Sequence, residues 1–139
     1  MKPILYLSFL MIAACGVKHT SVDYGKTTSA DLVAEKGEPV SKTAIPVKKG
    51  EIFQYQDNEK YQIKNDIVTH GFKDPKGDQK NLLYWKHKFR DCDTTTTKIS
   101  EPNGHILPEY ELKCSAEGIT VIYTEGSEFV SRVIEHAKK

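Results

Sequence analysis

Three short segments in which apolar and polar side chains alternate constrain the fold of this chain more than any other feature. They cover residues 51–56, 60–64 and 67–72, and short polar stretches at 57–59 and 65–66 separate them. A period of two directs successive side chains to opposite faces of a β-strand. Connections of two or three residues can join only antiparallel neighbours. We therefore predict an antiparallel meander in this region.

The second half of the sequence predicts further strands of the same kind. Residues 82–92, 110–114 and 119–123 carry aromatic and β-branched side chains in strand-like runs. Residues 129–136 fit both a helical spacing and a strand, and we favour the strand because the segment is rich in β-branched residues. Residues 93–108, between two of these runs, are predicted to form a long loop, a type of segment that is often functional.

One helix precedes the sheet. Thr28 and Asp31 have the spacing of a capping box. Gly37 can adopt the left-handed backbone conformation that ends a helix, and Pro39 prevents the helix from continuing. The predicted fold class is therefore α+β, an antiparallel meander of about six to seven strands with one short N-terminal helix packed on it, in a single domain over residues 25–139.

The N-terminal segment indicates export and anchoring. The apolar run from Ile4 to Ala14 is shorter than the roughly 20 residues of a membrane span and is typical of a secretory signal. Residues 12–15, Ile-Ala-Ala-Cys, resemble the bacterial lipobox, whose cysteine receives acyl chains such as palmitate. We predict a signal peptide at 1–14, a lipidated Cys15 that binds the bacterial membrane, and a tether over 15–24. Gly16 favours the outer membrane, with the protein facing the periplasm.

Two cysteines remain after Cys15 is assigned to lipid. Cys92 and Cys114 have no CxxC spacing and no neighbouring histidine that would indicate redox or metal chemistry. In an oxidising compartment such a pair forms a structural bridge. We therefore predict a Cys92–Cys114 disulfide that joins two strands.

The sequence offers little catalytic or metal-binding chemistry. Lys and Arg number 20 against 19 Asp and Glu, whereas nucleic-acid binding needs a basic excess, so no nucleic-acid partner is expected. There is no Gly-rich phosphate loop, nucleophile elbow or HExxH motif. We predict no catalytic residue, no metal and no cofactor. The histidines lack the paired spacing of metal ligands: His19, His70, His87, His105 and His136.

The segment from Gly25 to Pro39 resembles the G-x-T-x-x-(D/E)-(L/V)-x-x-x-x-G-x-P signature of the small SmpA/OmlA (BamE-like) bacterial lipoproteins. The strands predicted at 51–56 and 60–64 also fit that pattern, so the resemblance covers about residues 25–72. It implies a helix that leads into a three-stranded meander. Similar helix-plus-sheet units occur in the β-lactamase-inhibitor-like superfamily, whose members mostly bind proteins.

The predicted strand at 82–92 supplies a candidate binding patch. Tyr84, Lys86, Lys88 and Arg90 alternate along it and would share one face. A basic face edged by an aromatic ring suits an acidic protein or anionic headgroups. A solvated sheet face with no binding role is the alternative interpretation.

These features together predict a binding protein rather than an enzyme. The expected role is a scaffold that docks another envelope protein through a sheet face or the 93–108 loop. One alternative is an inhibitor of an envelope-directed hydrolase, similar to the lipoprotein inhibitors of lysozyme, which would insert a loop into an active-site cleft. A small envelope enzyme or ligand-binding lipoprotein is the second alternative, and it would need a deep pocket with convergent polar groups.

Overall fold

The computed structural model describes residues 21–47 and 49–139. The predicted signal peptide, the lipidation at Cys15 and the tether up to residue 20 lie outside the described residues. The described chain has two α-helices, α1 (Ser29–Lys36) and α2 (Leu82–Lys88), and one antiparallel sheet of eight strands in the order β1-β2-β3-β4-β8-β7-β6-β5. The strands are β1 (Ser41–Ile45), β2 (Gly50–Gln54), β3 (Lys60–Lys64), β4 (Ile67–Lys73), β5 (Thr94–Lys98), β6 (Glu109–Cys114), β7 (Ile119–Thr124) and β8 (Val130–His136).

The predicted α+β class and the antiparallel sheet are confirmed, and so is the preference for a strand at 129–136. The sheet has eight strands instead of six to seven, and a second helix is present. Single 3-10 turns at Gln56–Asn58 and Gly77–Lys80 complete the described elements.

The chain consists of two units with the same order of elements. In each unit a short helix is followed by a four-stranded antiparallel meander: α1 precedes β1 to β4, and α2 precedes β5 to β8. The last strands of the two units, β4 and β8, pair antiparallel and join the meanders into one sheet. An approximate twofold axis, perpendicular to the sheet, therefore passes through this β4–β8 seam.

An equivalent backbone hydrogen bond is found within each unit. The Ser29 N–H donates to the Asp66 carbonyl at 2.9 Å, and the Leu82 N–H donates to the Glu128 carbonyl at 2.9 Å. Asp66 and Glu128 both adopt positive φ, 65° and 53°. Each bond ties the first residue of a helix to the turn before the last strand of its unit, so both units close in the same way.

A β-bulge also recurs at the same place in each unit. The pairing of the third and fourth strands shifts register at Gln62 in the first unit and at Ile122 in the second. The extra residue is Thr69 in the first unit and Ser131 in the second, and both carry a hydroxyl group. The Thr69 hydroxyl donates to the Gln62 carbonyl and the Ser131 hydroxyl donates to the Ile122 carbonyl, each at 3.3 Å. A bulge increases the local twist of a strand, so the two halves of the sheet twist at equivalent points.

Helix α1 forms as the sequence predicts. The Thr28 hydroxyl accepts a hydrogen bond from the Asp31 N–H at 3.1 Å, and the Asp31 carboxylate accepts one from the Thr28 N–H at 3.3 Å. These two bonds form a capping box and satisfy two amides that the first helical turn leaves open. Gly37 ends the helix with φ of 84°. Leu32 is fully buried and fixes the helix on the sheet.

The strand predicted over 82–92 is wrong, because this segment forms helix α2. The Asn81 side chain caps the helix by accepting an amide hydrogen bond at 2.8 Å. Leu82, Trp85 and Phe89 are buried on one side at helical spacing. Read as a strand, the segment would instead align Leu83, Trp85 and Phe89 on one face, and packing against the sheet favours the helical period.

Two edge strands were not predicted from the sequence. Strand β1 is exposed over four of its five residues, and β5 is exposed over its whole length. A strand that is exposed on both faces needs no apolar alternation, so its sequence resembles a loop. The prediction of a loop over 93–108 is therefore wrong for Thr94–Lys98.

Both helices pack on the same face of the sheet, which we call the helical face. Each unit has its own core there, with a helix on one side and inward-pointing strand residues on the other. The N-terminal core consists of Leu32, Phe53, Tyr55, Tyr61, Ile63 and Val68. The C-terminal core consists of Leu82, Trp85, Phe89, Leu112, Cys114, Val121, Val130 and Val133.

The predicted Cys92–Cys114 disulfide is present, with the two Cα atoms 6.0 Å apart. Cys92 follows α2 and Cys114 ends β6, so the bridge joins the helix-to-strand connection to a strand rather than strand to strand. Cys114 is fully buried in the C-terminal core.

Residues before Gly25 take part in the packing. Val22 and Tyr24, which the sequence analysis assigns to the tether, contact the N-terminal core. The Tyr24 hydroxyl also reaches β8 of the second unit, where it donates to Glu135 at 2.5 Å.

Candidate functional site

No helix of the described chain packs on the second face of the sheet, which we call the open face. At the seam, Gly71 lies on the helical face, where the Tyr24 hydroxyl occupies the space that a Cβ would need. Strand alternation then places His70 and Phe72 on the open face. Their partners across the seam are His136 and Ile134.

Aromatic and imidazole rings gather on the open face at the seam. The His70 ring lies 6.3 Å from the Phe72 ring and 6.2 Å from the His136 ring, measured between centroids. The Nδ1 atom of His136 donates to the Ala137 carbonyl at 2.9 Å, since a carbonyl can only accept. In the neutral ring, Nε2 is then free to accept from the Thr120 hydroxyl at 3.2 Å. The chain itself therefore orients His136.

A groove of about 630 Å³ runs along the open face over this seam, and we call it the seam groove. A volume of this size is typical of a site for a peptide segment or a small ligand. Side chains of β3, β4, β6, β7 and β8 line it, together with the C-terminal residues: Gln62, Thr69, His70, Phe72, Glu111, Lys113, Thr120, Ile134, His136, Ala137 and Lys139, with Gly25 at its edge.

A second groove, of about 340 Å³, adjoins the first at Phe72 and is more basic. We call it the basic groove. Lys60 and Arg132 line it together with the apolar side chains of Ile52 and Phe72. The remaining lining residues are polar or charged: Thr43, Gln54, Asn58, Lys73 and Asp74.

Charge is distributed unevenly between the two faces. From the strand registers, the open-face positions of β1 to β4, β7 and β8 include Lys60, Lys64 and Arg132 but no Asp or Glu among the described residues. Among the described strands, β6 places carboxylates on this face, as Glu109 and Glu111, and Asp74 lines the basic groove just after β4. The open face therefore has a basic region, although the chain as a whole is nearly neutral.

The helical face has a hydrogen-bonded ion-pair network at the seam. Glu135 accepts from the Tyr24 hydroxyl at 2.5 Å and from the Lys73 ammonium at 2.9 Å. Burial, and then the hydrogen bond and negative charge of Glu135, raise the pKa of Tyr24 above its usual range. The phenol therefore stays protonated and remains a donor at physiological pH.

Glu59 is the second carboxylate of this network. It accepts from the Tyr61 hydroxyl and from the Lys36 ammonium, which lies 3.1 Å away, and Lys73 is 3.9 Å away. Burial alone would raise the pKa of Glu59, but the hydrogen bonds from Tyr61 and Lys36 and the charges of Lys36 and Lys73 outweigh it and lower the pKa. Burial and the contact with Glu59 raise the pKa of Tyr61.

A cavity of about 370 Å³ lies beside this network, and both carboxylates line it. The chain's own donors already engage Glu59 and Glu135, and Lys73 contacts both. This arrangement braces the two units against each other across the seam.

The patch predicted from the sequence does not form a sheet face. Tyr84, Lys86 and Lys88 lie on helix α2, and Arg90 lies just beyond its end. Tyr84 is half-buried with its ring edge-on to Trp85, and the Lys88 ammonium is 5.6 Å from the centre of the Trp85 ring. A helix advances 100° per residue, so alternate positions diverge around it, and the strand that would align these residues is absent.

The residues of the open face were not singled out from the sequence. The predicted strands at 67–72 and 129–136 do contain Phe72, Arg132 and Ile134. Strand alternation could show that His70 and Phe72 share a face. It could not show that β4 pairs with β8, because that pairing joins segments about 60 residues apart in the sequence.

The described residues have no cluster of three or more His, Cys, Asp or Glu side chains that could hold a metal ion. No helix within residues 21–47 or 49–139 combines the length and the apolar character that crossing a membrane requires.

Comparisons with protein-family models, curated proteins and solved structures give no match for this chain.

Proposed function

We propose that this protein is a binding protein of the bacterial envelope that docks another protein on the open face of its sheet. The observation that carries the proposal is the asymmetry of the sheet. Both helices and both cores lie on the helical face, whereas the open face retains two adjoining grooves around the half-buried side chains of Phe72 and Ile134. Sheet faces in small domains are normally covered on at least one side, and grooves on the other side are available to a partner.

The anchoring part of the proposal rests on the sequence. The lipobox-like residues 12–15 support lipidation of Cys15, and Gly16 supports placement in the outer membrane, facing the periplasm. The resemblance to SmpA/OmlA lipoproteins implies a helix that leads into a three-stranded meander, and the first unit has a capped helix followed by four antiparallel strands, β1 to β4. The second unit repeats this arrangement, so the docking face would be twice as wide.

A second candidate function is inhibition of an envelope-directed hydrolase. The loop at 99–108 exposes apolar side chains, with Ile99 46%, Ile106 65% and Leu107 52% exposed. Mutual backbone hydrogen bonds between Asn103 and Ile106 hold its tip in a tight turn. Exposed apolar side chains on a loop with a hydrogen-bonded turn are a feature that insertion into a cleft would use.

Site-specific crosslinking in cells tests the docking proposal. A photo-crosslinking amino acid replaces Thr43 or Lys64 on the open face, Ala34 on α1, or Ile106 in the loop, each of which is exposed. We expect the same envelope protein to be captured from Thr43 and Lys64 and not from Ala34. Capture of a hydrolase from Ile106 alone would favour the inhibitor. Capture from Ala34 alone would reject the open face as the docking surface.

A further inference from the structure

The open face has features that define the chemistry of its partner, and this inference rests on the docking function proposed above. We propose that the basic groove binds an acidic segment of a partner protein, with carboxylates directed at Lys60 and Arg132 and an apolar side chain seated between them on Ile52 and Phe72. The basic groove would therefore recognise its partner by charge as well as by shape.

The first argument is that two of the three cations that line the groove, Lys60 and Arg132, have no ion-pair partner within the described part of the chain. Neither Lys60 nor Arg132 has a carboxylate within 4.0 Å among the described residues. On the helical face, by contrast, Lys36 and Lys73 are both paired with glutamates. A chain with nearly balanced charges thus leaves these two cations available.

The second argument comes from the surroundings of these cations. The strand registers put no Asp or Glu on the open face of β1 to β4, β7 and β8, so no carboxylate of these strands competes for Lys60 and Arg132 there. Asp74 lies at the groove edge, and its carboxylate already accepts from the Asn58 amide at 3.0 and 3.3 Å. A partner that carries carboxylates would complement this region, and one that carries lysines would be repelled.

The third argument concerns the shape and chemistry of the groove floor. Lys60 is directly paired with Phe72 across β3 and β4, and Phe72 is paired with Ile134 across the seam. Apolar surface therefore lies beside the two cations. The Arg132 guanidinium can hold a carboxylate through two parallel hydrogen bonds. An extended segment matches this pattern when acidic and apolar residues alternate along one of its sides, that is, at every second position of its sequence.

Peptide binding to the full chain in micelles of a neutral detergent tests the inference. The probes are a labelled peptide that repeats Asp-Ser-Leu-Ser, so that Asp and Leu alternate along one side of the extended chain, a matched peptide that repeats Asn-Ser-Leu-Ser, and vesicles of phosphatidylglycerol. We expect the acidic peptide to bind roughly tenfold more tightly than the Asn peptide, and the difference to shrink as salt screens the charges. Equal binding of the two peptides would overturn the inference.

Variants of the same chain locate the binding. The double variant Lys60→Glu with Arg132→Glu should remove the preference for the acidic peptide, whereas Lys86→Glu on α2 should leave it unchanged. Lys60→Gln with Arg132→Gln tests the same charges with a smaller perturbation, and a circular-dichroism melt checks that each variant folds. Retention of the preference in a folded double variant would contradict the proposal.

The outcomes separate this inference from the docking function. Crosslinking from the open face together with equal binding of the two peptides would keep the docking function and reject the acidic partner. Binding of the vesicles without any preference for the acidic peptide would assign the groove to anionic lipid and reject a protein partner here. Failure of open-face crosslinking and of peptide binding would reject both.

Discussion

Glu135 connects the two units of the sheet through its side chain. It is anchored on β8 of the second unit and accepts from Tyr24 and Lys73 of the first. The β4–β8 pairing supplies the backbone link at the same place. The carboxylate is partly buried, so its hydrogen bonds are less screened than those of surface ion pairs.

We predict that Glu135→Gln lowers the free energy of unfolding by about 1–2 kcal/mol, because two charge-assisted hydrogen bonds are weakened. Urea unfolding measures the change. Glu101→Gln is the matched control, since Glu101 is strongly exposed and forms a surface ion pair with Lys98, and it should cost less than about 0.5 kcal/mol. Equal losses in the two variants would contradict a bracing role for Glu135.

Glu59 gives the fold a defined acid sensitivity. Its pKa in the folded chain lies below the ordinary value of 4.5. The folded state therefore binds this proton more weakly than the unfolded state does. The resulting stability is fully present above the ordinary pKa and is lost as the pH falls through the lower pKa of the folded chain.

We therefore predict that Glu59→Gln reduces the loss of stability between pH 6 and pH 3, because the substituted side chain does not titrate in this range. Urea unfolding of both proteins across the pH range measures it. Parallel pH profiles for the wild type and the variant would show that Glu59 does not contribute to this sensitivity.

Helix α2 illustrates how a single segment can satisfy two periodicities. Read with a period of two, Leu83 would share a buried face with Trp85 and Phe89. In the helix it is Leu82 that is buried, at 3% exposure, while Leu83 is 65% exposed. The Asn81 cap could have indicated the helix from the sequence.

Adjacent leucines test this assignment directly. We predict that Leu82→Ala lowers the free energy of unfolding by about 2–5 kcal/mol, because it leaves a cavity in the C-terminal core. Leu83→Ala should change it by less than about 0.5 kcal/mol. The reverse order of the two losses in urea unfolding would indicate a strand.

The disulfide stabilises the second unit at the end of the same helix. Cys92 and Cys114 are 22 residues apart, and a loop of that length contributes about 3 kcal/mol in the chain-entropy model. We predict that reduction lowers the free energy of unfolding by about this amount, and that neither cysteine reacts with a thiol reagent before reduction. Rapid labelling of the unreduced native protein would contradict the bridge.

At the scale of the whole molecule, the predicted lipidation of Cys15 would decide where the proposed docking face meets a partner. We predict that Cys15→Ser releases the protein from the membrane fraction, because acyl chains on the proposed lipidated cysteine would supply the anchoring free energy at about 0.8 kcal/mol per buried methylene. Fractionation of cells measures it, with the wild type as control. Persistent membrane association of the variant would reject the lipid anchor.

The repeated architecture was not visible in the sequence. The helix starts at Ser29 and Leu82, the bulges at Thr69 and Ser131 and the positive φ values that close the units recur in the structure. Such equivalences depend on backbone geometry, which different side chains can produce. Thr69 and Ser131 share only a hydroxyl, and Thr28 and Asn81 share only a side-chain oxygen that caps a helix.

Local sequence determined the features that depend on near neighbours. The capping box at Thr28, the strands β2 to β4 and β6 to β8, and the pairing of the two cysteines left for a disulfide could all be predicted, because short-range periodicity and turn chemistry specify them. Tertiary structure decided the rest. Packing made α2 a helix, and pairing with neighbours made β1 and β5 strands. The contact of β4 with β8 assembled the open face, since side chains distant in sequence become neighbours only when the two units join.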